Sequence, residues 1–213
     1  VLIVTGIDPN AMDTIDTNRR RSYADTLKMK GISNHPIVAA LAGRSWYWFH
    51  GNYGDRGIAR VADPKYLSAT PSNAQKNFWM EHVEKAYDIT FEQAAAFGAQ
   101  AYQARPGVSS GTYALAWVVL SGIDKDLREK FFFELLKESA STASGYPIVA
   151  FTNRLLRLKS RERLTPVDQL DAIWTTYNGW LNGRTIRTLT PPRPVNFSTV
   201  EIPDGFVELE IKN

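Results

Sequence analysis

Apolar residues along this chain recur mainly at three- and four-residue spacing, as expected of helices that bury one face. Over residues 124–138, Leu127, Phe131, Leu135 and Leu136 alternate with charges of both signs, and Asp124 stands where the helix should begin. A second stripe, Ile148, Phe151, Leu155 and Leu158, follows Pro147, a residue accepted in a helix's first turn, and predicts a helix to about residue 159. A third, Val167, Leu170, Ile173, Trp174, Tyr177 and Leu181, starts at Thr165, Pro166 and Asp168 and should stop at Gly183.

Capping residues divide the rest. Ser22 suits the start of a short helix over residues 23–29, stopped by Gly31, and Asn34 the start of another over 35–50 with Pro36 in its first turn. Ser72 with Gln75 and Thr90 with Gln93 have capping-box spacing, ahead of helices reaching Tyr87 and Ala104. Ser109 or Ser110 opens a nearly apolar helix to about Ser121. Residues 51–71, with Gly51, Gly54, Gly57 and Pro64, have no sustained period but keep Ile58, Val61, Tyr66 and Leu67, so they read as an excursion that packs.

The two ends differ from this pattern. Val1-Leu2-Ile3-Val4 reads as a strand leading into the polar junction Gly6-Ile7-Asp8-Pro9-Asn10, not as a signal peptide. A lone strand cannot pair with itself, so it is expected to join later strands or an upstream part of the protein. Pro191, Pro192 and Pro194 disfavour helix and make the tail extended. The fold expected is therefore mainly α, with seven or eight helices and a short N-terminal β element. Residues 1–21 form a junction or the end of an α+β domain, 22–190 a helical domain, and 191–213 the tail.

Composition narrows the chemistry. Six Trp, nine Tyr and ten Phe among 213 residues provide enough surface for a core and exclude a disordered tail. The longest apolar run, residues 114–120, falls far short of the ~20 residues of a membrane helix, so no membrane partner is expected. With no cysteine, disulfides and thiolate chemistry are excluded. His35, His50 and His82 lack metal-ligand spacing, and neither a GxxxxGK(S/T) phosphate loop nor a GxSxG elbow is present. No catalytic residue, metal ligand or cofactor emerges. His82, beside Glu81 and Glu84, reads as packed or solvated, the tryptophans mainly as core. The mixed charges Lys125, Arg128, Lys130 and Lys137 with Asp124, Asp126, Glu129 and Glu134 read as a solvated helix face.

Charge is uneven behind a formal net of +3. Residues 150–193 hold seven Arg and one Lys against Glu162, Asp168 and Asp171, while the remainder carries a slight acidic excess. Arg154, Arg157 and Arg161, at i, i+3 and i+7, would form a ridge beside the apolar stripe. Such a ridge is a candidate contact for nucleic-acid phosphates; the plainer reading is a solvated face paired with acids such as Glu162. Helix-turn-helix base reading is not expected, because residues 166–181 contain no Lys or Arg and look buried. Arg19, Arg20 and Arg21, with Lys28 and Lys30 following, form a second candidate, a phosphate clamp with Asp13 and Asp16 as orienting acids. Local salt bridges that pin the junction are its plainer alternative.

The stretch Gly6-Ile7-Asp8-Pro9-Asn10-Ala11-Met12-Asp13-Thr14-Ile15-Asp16-Thr17-Asn18-Arg19-Arg20-Arg21-Ser22-Tyr23-Ala24-Asp25-Thr26-Leu27 resembles a segment of phage and plasmid proteins with a ParB/sulfiredoxin-like N-terminal domain. These follow a strand with G-x-D-P … D-T-I-D-T-G-x-x-R and continue into a helical region. Thr70-Pro71-Ser72-Asn73-Ala74 and residues 161–170, followed by Trp174, Asn178 and Trp180, are similar to that region. Asn18 stands in place of the usual glycine, and nothing here matches the family's upstream L-x-D-G-Q-H-R-L segment, where its nucleotide-handling residues lie. The resemblance thus implies the C-terminal remainder of such a protein, or a shortened relative. It also implies DNA-associated work in the cytoplasm of a bacterial or phage-infected cell. A nucleic-acid-associated accessory protein is the leading expectation. The alternatives are a nucleotide-dependent enzyme whose active residues and nucleotide lie in an absent upstream domain, and a structural module that binds a protein partner or a second copy of itself.

Overall fold

A computed structural model of the chain describes residues 21–49, 72–137, 145–158, 164 and 166–186, and over these the backbone forms eight α-helices and no strand. They are α1 (Tyr23–Met29), α2 (His35–Phe49), α3 (Asn73–Tyr87), α4 (Phe91–Ala104), α5 (Ser110–Ile123), α6 (Lys125–Leu136), α7 (Pro147–Leu158) and α8 (Pro166–Leu181). The N-terminal strand, the 51–71 excursion and the extended tail fall outside the described residues.

Helix boundaries follow local chemistry. Ser22, Ser72 and Thr90 each accept the amide three residues on, and the side chains of Asp25, Gln75 and Gln93 return the bond, so all three starts are capping boxes. At Gly31 (φ +77°), Ile32 N–H reaches Leu27 O (3.0 Å) and Gly31 N–H reaches Lys28 O (3.0 Å), the paired closure that a left-handed residue permits. Asn34 stands at the start of α2 as expected, in a left-handed conformation. Its φ is +51°, and its carbonyl accepts the Ile37 and Val38 amides, a left-handed turn that Asn tolerates better than most residues. α5 runs two residues past Ser121. Asp124 both closes it, through N–H to Leu120 O, and caps α6 by accepting Leu127 N–H (2.9 Å).

α5 is the central helix. It packs most extensively on α4 and also meets α2, α6 and α8, while α2 carries α1 and α3, and α8 carries α7. Neighbours on several sides explain why Tyr113, Ala114, Leu115, Ala116, Val118, Val119 and Leu120 are all buried, with no polar face left between them. Trp46, Trp79 and Trp174 are fully buried, and Trp46 meets Trp79 edge-on at 5.6 Å between centroids. Trp79 Nε1 donates to Ser45 Oγ at 2.9 Å.

The α6 charges are not simply a solvated face. Arg128 is buried, its guanidinium 4.0 Å from the Trp117 ring centroid, with Nη1 donating to Ser121 Oγ (2.6 Å). A planar cation on a long apolar stem stacks on an indole more readily than a lysine would. Lys125 pairs with Asp88 at 3.0 Å, and Glu134 accepts from Tyr146 Oη and Trp180 Nε1. Three charges thereby brace α6 against other elements.

Burial raises the phenol pKa values of Tyr23, Tyr87 and Tyr113. A group whose pKa is higher folded than unfolded contributes stability below the unfolded value, near 10, and loses it as pH rises. Phenolate absorbance should therefore lag behind that of free tyrosine above pH ~10, and its late rise should coincide with loss of helical circular dichroism. Full ionisation of all nine tyrosines before any unfolding would contradict this.

Candidate nucleic-acid interface

The described part of the Arg19–Arg20–Arg21 run is Arg21, half-buried just ahead of α1. Its carbonyl accepts Asn73 Nδ2 at 3.3 Å, which ties it to the first turn of α3. Its Nη1 lies 2.8 Å from Met29 Sδ, so the guanidinium folds back along α1. Next to Met29, Lys30 extends its ammonium to Asn77 Oδ1 of α3 at 3.2 Å. On the same helix Lys76 crosses over Tyr23, its Nζ 5.7 Å from the ring centroid.

Three cations from segments some fifty residues apart thus line the seam between α1 and α3, and among the described residues none forms an ion pair with a carboxylate. Glu81 is the nearest competing charge along α3. Asn77 stands between: its amide oxygen accepts from Lys30, and its Nδ2 donates to Glu81 Oε1 at 2.6 Å. The seam offers guanidinium and ammonium donors to an anionic backbone, with Asn73 and Asn77 as neutral positioners. Lys30 is visible in the sequence as an extension of the arginine run. Lys76 and Asn77 carry no signal there beyond standing at i+3 and i+4 from Asn73 on a single helix, and Asn73 is noted only within the Thr70–Ala74 stretch.

The other candidate residues divide by position. Asp13, Asp16, Arg19, Arg20 and Arg161 lie outside the described residues, and Arg157 is placed on α7 by its backbone alone. Arg154 is half-buried on α7, beside the buried stripe Ile148, Phe151 and Leu155, as its spacing predicts. α7 packs on α8 whereas Arg21 belongs to the α1–α3 seam, so Arg154 and Arg21 belong to separate parts of the fold. In α8, Leu170, Ile173, Trp174 and Tyr177 are buried, which rules that face out for reading bases.

Two further features concern packing. Arg44 of α2, which the sequence does not single out, donates from Nη1 to Ser109 Oγ and Thr112 Oγ1, both at 3.0 Å, at the start of α5; burial lowers its pKa. Gly111 leaves room for this, since a Cβ there would lie 2.8 Å from Nη1. The arrangement fastens α2 to α5. His82 lies between Phe78, with parallel rings, and Trp79, in keeping with a packed histidine. Among the described residues no group of three or more His, Asp or Glu side chains is arranged to hold a metal ion, and no helix is long and apolar enough to cross a membrane.

Comparison with protein-family models, with curated proteins and with solved structures found no match.

Proposed function

We propose that this protein associates with nucleic acid, holding it mainly by the phosphate backbone and without strong base readout. The observation that supports the reading is the α1–α3 seam, where Arg21, Lys30 and Lys76 gather with no carboxylate paired to them among the described residues. Opposite charges in direct contact would have made the cluster a stabilising surface network; without them, the cations repel one another modestly and gain from a polyanion. Arg154, Arg157 and Arg161 remain a second, separate candidate contact on the strength of their spacing.

Titrating the full chain into fluorescently labelled DNA at several salt concentrations tests this. Affinity should fall linearly on a log–log plot as salt rises, with a slope of about −0.9 for each phosphate neutralised on duplex DNA. Changing Arg21, Lys30 and Lys76 together to Gln should weaken binding to every sequence alike and flatten the slope by about one for each phosphate no longer neutralised. The Arg154→Gln, Arg157→Gln and Arg161→Gln combination reports separately on the α7 ridge. Lack of binding at low salt, or binding indifferent to salt, would sink the proposal.

A further inference from the structure

Along α6 the exposed positions form a stripe, Asp126, Glu129, Lys130, Phe133 and Lys137, in which Phe133 alone is uncharged. Its side chain is 60% exposed. An exposed apolar residue is ordinary by itself; what marks this one is its company. Lys137, one helical turn on, lays its ammonium over the ring, with Nζ 4.5 Å from the centroid. The Lys137 carbonyl accepts Arg105 Nη2 at 2.6 Å, which brings the guanidinium that ends α4 to the last turn of α6. Lys130 stands on the same stripe, one turn before the ring.

These cations have no counter-ion of their own. Glu129 is bridged to Arg128 at 3.0 Å, and Glu134 accepts from Tyr146 Oη and Trp180 Nε1. Among the described residues no carboxylate pairs with Lys130, Lys137 or Arg105. The ring is covered on one face by Lys137, and its high exposure comes from the rest of its surface. The support beneath is firm: Phe131 and Phe132 are buried, and Phe132 meets Phe97 of α4 at 4.5 Å between centroids. A helix end anchored in this way loses little further freedom when something settles on it.

On the proposed nucleic-acid reading, we infer that the end of α6 is a contact for single-stranded nucleic acid, with Phe133 stacking on an unpaired base and Lys137, Arg105 and Lys130 facing the adjoining phosphates. It is separate from the α1–α3 seam, whose cations serve duplex and single strand alike. Duplex DNA cannot use the ring, because the faces of its bases are covered by their neighbours. A single strand presents bases whose π-faces are free, and stacking on an aromatic side chain tolerates any base. Lys137 is held to the ring only weakly at so exposed a position, so its ammonium can turn to a phosphate while the ring keeps the base.

The experiment compares the full chain on a labelled homothymidine oligonucleotide and on a duplex of equal length, by anisotropy across a salt series. Phe133→Ala should weaken single-strand binding about tenfold, which is ~1.4 kcal/mol and within the range of one stacked base, and leave duplex binding unchanged. Its salt slope should match the wild type's, since stacking releases no counterions. Phe133→Leu, apolar but without a π-face, should lose as much, whereas Phe133→Trp should keep or improve the affinity and so guards against misreading a folding defect. Lys137→Gln should flatten the single-strand slope by about 0.7, the share of one phosphate. Unchanged single-strand affinity in Phe133→Ala or Phe133→Leu, equal losses on both ligands, or an unchanged slope in Lys137→Gln overturns the inference while the phosphate-binding reading stands. Failure of both oligonucleotides to bind at low salt overturns both.

Discussion

Trp46→Ala is expected to cost about 3–5 kcal/mol of folding stability, the range for emptying an indole-sized site in a packed core. The residue is fully buried and meets Trp79 edge-on, so its loss removes apolar burial and an aromatic pair together. Trp79 is tethered by its indole N–H to Ser45, the residue before Trp46 on α2, which restrains its collapse into the space. Against the roughly 5–15 kcal/mol that a domain of this size commands, such a loss would bring the protein near its unfolding threshold. Urea unfolding followed by circular dichroism measures it, and Trp46→Phe should lose markedly less because part of the volume and the ring contact remain. A cost for Trp46→Ala below about 1 kcal/mol would mean that this part of the core is not close-packed.

Gly98→Ala should also destabilise, and for the opposite reason. α4 and α5 make the most extensive helix pairing in the fold, and Gly98 lies at their close approach. A Cβ built there falls 2.3 Å from the Ser110 carbonyl oxygen and 3.1 Å from Ala114 Cβ. Since the first obstacle is backbone, no rotamer change relieves it, and the two helices must move apart. Overpacking of this kind costs about 1–3 kcal/mol, sometimes more, against roughly 1 kcal/mol regained from alanine's better helix propensity. Gly43 provides the matched control. It lies within α2, and a methyl group added there meets nothing within 4 Å among the described residues, so Gly43→Ala should stabilise by about 0.4–1 kcal/mol. The two substitutions are chemically identical and should shift the urea midpoint in opposite directions; shifts of the same sign would refute the packing argument.

Where the cations find themselves once the helices have docked decides what they can bind. Arg128 and Arg44 show how little a positive residue says by itself. Arg128 is used up against Trp117 and Ser121, and Arg44 against Ser109 and Thr112. Lys125 is paired with Asp88. What distinguishes Arg21, Lys30 and Lys76 is that they line one seam with a thioether, an amide and an aromatic ring as described partners, whereas Arg128 is buried and also pairs with Glu129, and Arg44 is spent between two helices. They remain available to an anion for that reason.

Helix content and most helix ends are legible in the chain because they are decided within a few residues. A Ser or Thr three places before a Gln satisfies orphan amides of one turn, and Gly31 and Gly183 stop α1 and α8 through a backbone angle that needs no distant partner. The buried stripe of α7 is legible for a similar reason, since its period alone selects which face meets the core. Asn34 marks the margin. It stands ahead of α2 as its residue type predicts, but its short side chain suits both an extended cap and a left-handed turn, and spacing does not choose between them. Which charges are consumed and which gather is a different matter. Lys76 joins Arg21 and Lys30 only because α3 lies beside α1, and Arg128 turns inward only because Trp117 lies beneath it. Local hydrogen bonding acts over one helical turn and is written into neighbouring residues, whereas these meetings depend on packing between separate helices, and so they come into being only with the tertiary structure.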